Sequence, residues 1–147
     1  MKPSLIREAG TGLRLYATGK KGLSCLQGAV SSRGSQSIAC VCLGKDSNVL
    51  DDFSDKILKC CEQHQIPYNV YPHVPGEPYT MAIAAGWQRL IRDVPPDRLI
   101  VLHDSLLPRY RGFNPLVNAI LNQDSFVGVT ALRAEERYDS GGILPGP

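Results

Sequence analysis

Short apolar blocks, each closed by glycine, proline or a polar cluster, recur along the whole chain. "LRLYA" opens the series at Leu13 and runs into a Gly-Lys-Lys-Gly turn ending at Gly22, after which "LSCLQGAVSS" reads as a short helix. Strand, glycine turn and helix are the opening of a βαβ unit. "SIACVCL", Ser37 to Leu43, predicts a second apolar strand, closed by Gly44 and the polar "KDSN". In "DDFSDKILKCCEQHQI" the residues Phe53, Ile57, Leu58 and Cys61 fall at helical spacing, with Asp51 or Asp52 as N-cap and Pro67 as the stop. "YNVYPHV" predicts a short extended segment, weakened by Pro72 and Pro75. "YTMAIAAG", Tyr79 to Gly86, is a continuous apolar run of strand length, as a parallel strand covered on both faces requires. "WQRLIRDV" then predicts a turn or short helix halted by Pro95 and Pro96, and "DRLIVLHD" the next buried strand. "NPLVNAILNQ" reads as a helix with Pro115 in its first turn, and "FVGVTALRA" as a last strand. Strands alternating with helices imply an α/β fold, a mostly parallel sheet with helices on both faces.

Composition narrows the class without naming a function. A chain of 147 residues, 43% hydrophobic and 20% charged, is of one-domain size. We expect residues 1–12 to be a loose leader and 13–147 to be the domain. The formal net charge of +2 provides no strong overall field, so any basic function is local. Cys25, Cys40, Cys42, Cys60 and Cys61 are spaced as C-x-C and C-C, which fits neither a zinc pattern nor a regular disulfide framework, so no metal is expected. An odd cysteine count without a secretory signal predicts a reducing, cytoplasmic setting. No apolar run approaches the roughly 18 residues of a membrane span, so no membrane partner is expected.

In parallel α/β sheets the ligand crevice lies beyond the carboxyl ends of the strands, so polar residues that abruptly end an apolar strand are the candidates for chemistry. Three places qualify: Gly86 and Trp87, His103 to Gly112, and the "EERYDSGG" loop from Glu135 to Gly142. His103 can accept or donate a proton near neutral pH, although a lone histidine at a strand end is more often a hydrogen-bonded cap. Asp139 sits in a glycine-rich loop at another strand end. Beside His103 it would orient the imidazole and favour its charged form, and alone it reads as an Asx turn before Gly141. The "TGKKG" turn offers backbone donors and two lysines but lacks a dinucleotide or Walker pattern.

The stretch "HDSLLPRYRGFNPLVNAILNQDSFVGVTALRAEERYDSGGI" carries a more specific signal. Its His-x-Ser-Leu-Leu-Pro-x-Tyr-x-Gly run, Gly-Val-Thr strand and Asp-x-Gly-x-Ile close resemble the catalytic core of the folate-dependent formyltransferases, which include enzymes acting on methionyl-tRNA, glycinamide ribonucleotide and sugar amines. A fainter resemblance covers "LRLYATGKKGLSCLQGAV", similar to the family's first βα unit, and "YTMAIAAGWQRLI", similar to the strand that leads into its pterin loop.

The resemblance implies a Rossmann-like domain that transfers a formyl group from 10-formyltetrahydrofolate to an amine. It makes His103 and Asp139 the catalytic pair. It assigns Trp87, Gln88, Arg89, Leu90 and Ile91, together with Glu136, Arg137, Tyr138 and Gly141, to the folate. It places Asp104, Ser105, Arg109, Tyr110, Arg111 and Gly112 on the acceptor side, where the arginines would meet phosphates. The third member of the family's catalytic group, an Asn two residues before the His, is Val101 in this chain, which has no hydrogen bond to offer. Asp104 adds a carboxylate beside the site, and Asn114 is a conceivable replacement donor. Relatives continue beyond the point where "GGILPGP" ends, so a C-terminally truncated domain is expected. The absent C-terminal barrel and the near-neutral charge weigh against a nucleic-acid partner and towards a small amine, such as a nucleotide-linked amino sugar. Two other readings share the site: a protein that binds without turnover, and a hydrolase releasing formate from the same donor. Oligomeric state is left open.

Overall fold

The computed structural model describes residues 12–135 and 141–146, in two compact units that divide between Leu90 and Ile91. The first unit holds β1 (Leu13–Ala17), α1 (Gly19–Arg33), β2 (Ile38–Leu43), α2 (Ser54–Gln63), β3 (Tyr68–Val70) and β4 (Met81–Ala85). The four strands are parallel, in the order β3-β2-β1-β4. All six residues of β2 are buried, the pattern of a strand covered on both faces, and this is why it reads as an unbroken apolar run. The helices α1 and α2 pack against each other, α1 also touching β1 and β4, and α2 touching β2.

Local chemistry moves two boundaries from their predicted places. The Gly-Lys-Lys-Gly segment is the first turn of α1, because Gly22 N–H closes onto Thr18 O at 3.2 Å while Gly19 N–H is taken by Asp52 O at 3.1 Å. Glycine is a poor helix former, so the segment looks like a turn in the sequence. Gly22 is there for fit: a Cβ at this position would lie 2.9 Å from the Ala17 backbone. At α2 the cap position belongs to Phe53, with a left-handed φ of 59°, and not to Asp51 or Asp52. Asp52 still performs the capping chemistry from one residue further back, its Oδ1 accepting Ser54 N–H and its Oδ2 accepting Asp46 N–H, both at 2.9 Å. The Ser54 hydroxyl first, and these backbone N–H groups after it, hold the Asp52 carboxyl below the usual carboxylate range.

The buried Arg14 fixes the approach to β4. Its guanidinium donates to Pro75 O at 2.8 Å and lies 4.0 Å over the Tyr79 ring.

The second unit holds a 3₁₀ turn at Pro96–Arg98, β5 (Leu99–His103), α3 (Pro115–Leu121) and β6 (Thr130–Arg133). β5 and β6 are antiparallel, with Val101 opposite Leu132 and His103 opposite Thr130. Parallel pairing therefore predominates in an α/β fold, as the alternation of elements predicts. "WQRLIRDV" forms bends and no helix, and only the second half of "FVGVTALRA" is strand. The register gives the reason. Thr130 already faces the last residue of β5, so Phe126 to Val129 extend past its end and have no strand of β5 to pair with. Among the described residues, no helix is long and apolar enough to cross a membrane.

Candidate functional site

In the second unit, β5 delivers His103 to the strand end, where it is buried. The chain then turns tightly: Ser105 N–H bonds back to His103 O at 2.9 Å, and the Leu107–Pro108 peptide is cis. Thr130, opposite His103, clamps this turn by donating its hydroxyl to Ser105 O at 2.6 Å and accepting Leu107 N–H at 3.1 Å. Ser105 is buried and its Oγ has no hydrogen-bond partner among the described residues. Asp104 is half-buried beside it.

The loop after the turn folds back over the histidine. His103 Nε2 lies 2.7 Å from Tyr110 O. A carbonyl can only accept, so Nε2 carries the proton. Arg109 points to Asp124, Nη2 to Oδ1 being 3.1 Å, while Arg111 and Gly112 are exposed and Gly112 takes a φ of 92°. Arg109 is thus held by a carboxylate of its own chain. Asn114 adopts a left-handed φ of 51° at the start of α3, where its carbonyl receives Asn118 N–H. Thr130 closes the Gly-Val-Thr element of the resemblance, but its clamp on the turn has no sequence signal, and Asp124 stands in no recognisable motif position.

Val101 and His103 are two residues apart on one strand and share a sheet face, so the position that would carry the Asn side chain does look to the histidine's side. Asp139 lies outside the described residues, as do Glu136, Arg137 and Tyr138. The chain on either side of them is paired: Arg133 N–H bonds to Gly142 O at 3.0 Å, Leu144 N–H to Ala131 O at 2.8 Å, and Leu132 bridges Ile143. Gly141 is buried, and a Cβ there would collide with Arg133 O at 1.7 Å.

The other predicted cluster follows β4 in the first unit. Trp87 packs edge-on against Tyr16 at 5.2 Å and Tyr71 at 5.4 Å, as core aromatics do. Arg89 lies 5.1 Å over Tyr71 and donates to Lys45 O at 2.6 Å. Gln88 and Leu90 are exposed; Ile91 is half-buried and begins the second unit. Trp87 Nε1 and Thr18 Oγ1, both at strand ends, are buried without a hydrogen-bond partner among the described residues. In the first turn of α1, burial pushes the Lys21 ammonium below its ordinary range. Among the described residues, no group of three or more His, Cys, Asp or Glu side chains could hold a metal ion.

A buried histidine at a strand end in an α/β fold, with Ser-Leu-Leu-Pro beginning two residues later, resembles the formyltransferase pattern, and comparison with known proteins points to the same class. Residues 75–145 match the family described as formyl transferase. Among curated relatives, the methionyl-tRNA formyltransferase of Halothermothrix orenii is 40% identical over 70 residues, which is 46% of this chain and 22% of that protein. The chain thus matches only about a fifth of that relative's length. Of solved structures, the phosphoribosylglycinamide formyltransferase of Bacillus halodurans superposes with a TM-score of 0.70 at 20% identity, covering 92% of this chain and 77% of that one. A sugar 3N-formyl transferase solved with dTDP and 5-N-formyl-THF gives 0.69 at 20% identity, covering 94% of this chain and 51% of that one. The fold is that of the formyltransferases, and residues 75–145 are similar to their family in sequence.

Proposed function

We propose that this chain transfers a formyl group from 10-formyltetrahydrofolate to an amine, with a small nucleotide-linked amino sugar as the acceptor. The observation that carries the reading is His103, buried at the end of β5 within the matched segment and held by the Tyr110 carbonyl. In this reading the amine nitrogen bonds to the formyl carbon and the bond from that carbon to the folate nitrogen breaks. His103 takes the proton the amine sheds and returns it to the departing nitrogen. Asp139 supports the imidazolium. The folate contacts are those the resemblance assigns: Trp87, Gln88, Arg89, Leu90, Ile91, Glu136, Arg137, Tyr138 and Gly141. Asp104, Ser105 and the exposed Arg111 are left to face the acceptor, since Arg109 is engaged by Asp124. A small-molecule acceptor accords with the N-formyltransferase of Helicobacter canadensis, a protein of this fold complexed with folinic acid and dTDP-3-aminofucose. We place the reaction in a reducing, cytoplasmic setting, where the five cysteines remain thiols.

The test is incubation with 10-formyltetrahydrofolate and dTDP-amino sugars, with His103→Ala alongside. Amine-dependent formylation that falls at least a hundredfold in H103A is the expected result. Formate release without an amine would make the protein a hydrolase. A second reading, binding without turnover, is favoured by Val101, and folate binding with no formyl transfer in the native chain would establish it.

A further inference from the structure

We propose that Tyr110 and Asp124 act together as positioning residues that fix the His103 imidazole with its proton on Nε2. The inference rests on the reading of His103 as the proton-transferring group.

Tyr110 has two ends with different jobs. Its carbonyl receives His103 Nε2–H at 2.7 Å, and it can be aimed there because Tyr110 adopts a left-handed φ of 56°. A residue with a Cβ is strained in that conformation, so something outside the loop must hold it. The ring supplies the hold. Its hydroxyl donates to Asp124 Oδ2 at 2.8 Å and accepts from Asn122 Nδ2 at 3.0 Å, both residues lying in the exit from α3. Asp124 is itself tied down: its backbone N–H bonds to Ala119 O at 3.0 Å, and its other carboxylate oxygen receives Arg109 at 3.1 Å. The Asp124 side chain is only 12% exposed, so water competes poorly for its oxygens. The chain of contacts runs from α3 through Asp124, the Tyr110 hydroxyl and the Tyr110 carbonyl to the imidazole. None of these residues needs to touch substrate for the ring to be held.

The experiment is ¹H–¹⁵N NMR of the imidazoles in the full chain, alongside formyl-transfer kinetics, for the native protein, Tyr110→Phe and Asp124→Asn. Three histidines, His64, His73 and His103, make assignment direct with a His103→Gln control. In the native protein the His103 Nε2–H resonance is expected to be visible and to exchange with water more slowly than those of His64 and His73. In both variants it should broaden or vanish, with kcat falling roughly tenfold and KM within twofold, an effect the size of one lost hydrogen bond. A proton on Nδ1 in the native protein, or an Nε2–H unchanged in both variants, would overturn the proposal. The NMR arm needs no turnover. Absence of formyl transfer in the native chain would sink the functional reading, while the resonance still decides whether the strap exists.

Discussion

Val101 is where this chain and the formyltransferase pattern part, and its place in the structure makes the difference testable. It shares a sheet face with His103 and pairs with Leu132 across the antiparallel ladder. A hydrogen-bond donor there would face the oxygen on which charge develops as the amine adds, and removing such a donor from an enzyme costs on the order of 10²–10³ in rate. Val101→Asn should therefore raise kcat for formyl transfer at least tenfold, read in the same assay as the native chain. A small loss of stability, about 1 kcal/mol for exchanging a β-branched residue in a strand, would accompany it. No rise in kcat would mean that the formyl oxygen is held by other groups or that the site does not turn over. His103 was legible in the sequence because an apolar strand ended on a titratable side chain. Its restraint was not, because a backbone carbonyl seven residues away has no sequence signature. The Tyr110–Asp124 pair, fourteen residues apart, was hidden for a related reason: only the fold of the α3 exit brings them together.

Among the elements, α1 shows how helix propensity and packing can point in opposite directions. Replacing an interior helical glycine by alanine ordinarily stabilises by about 1 kcal/mol. At Gly22 the added Cβ would press on Ala17 backbone atoms at 2.9 Å, and overpacking costs about 1–3 kcal/mol. Gly22→Ala is thus expected to lower stability, seen as a reduced urea midpoint with unchanged slope; a raised midpoint would show that α1 slides freely on β1. The same conflict explains why the start of α1 looks like a turn in the sequence, whereas β2 and β5 are legible as strands. Continuous apolar runs need only burial, while a glycine's meaning depends on what lies against it. Cys61, buried in α2, gives a second measurement. Burial first, then the neighbouring Cys60 and Glu62, push its thiol from 9.0 up to about 12. The folded chain keeps that proton where the unfolded chain loses it, so the contribution is full below pH 9 and declines as pH rises towards 12. The slope for one such thiol is at most about 1.4 kcal/mol per pH unit. Urea titrations between these limits should show the decline in the native protein and a shallower one in Cys61→Ala. Equal slopes would mean that the thiol ionises in place.

Across the whole molecule, the core is unevenly shared. Of the buried apolar side chains among the described residues, only Val94, Leu99, Ala119 and Leu132 belong to the second unit. The same unit leaves Phe113, Leu116, Val117, Ile120, Leu121 and Phe126 exposed. Free energy of local opening follows buried apolar contact, so the unit with His103 should be the less stable part of the chain. In hydrogen exchange under native conditions, amides of β5 and β6 should exchange roughly tenfold or more faster than the slowest amides of β1, β2 and β4. Val101, Leu102 and Thr130 are suitable reporters for the first set and Val41, Cys42 and Ile83 for the second, since all lie within paired strands. A dye that binds exposed apolar surface should bind the native protein, and Ile120→Lys, which breaks the apolar face of α3, should reduce that binding without slowing exchange in β1 or β2. Equal protection in the two sets would instead mean that the chain opens only as a whole and that the sparse core of the second unit does not set its stability. The prediction bears on the proposed function because the proposed proton transfer at His103 would depend on a loop and a turn, 104–112, held chiefly by hydrogen bonds with Thr130 and to Asp124. A formyl donor that binds this unit only when it is closed would slow the exchange of β5 by the factor its concentration exceeds its dissociation constant.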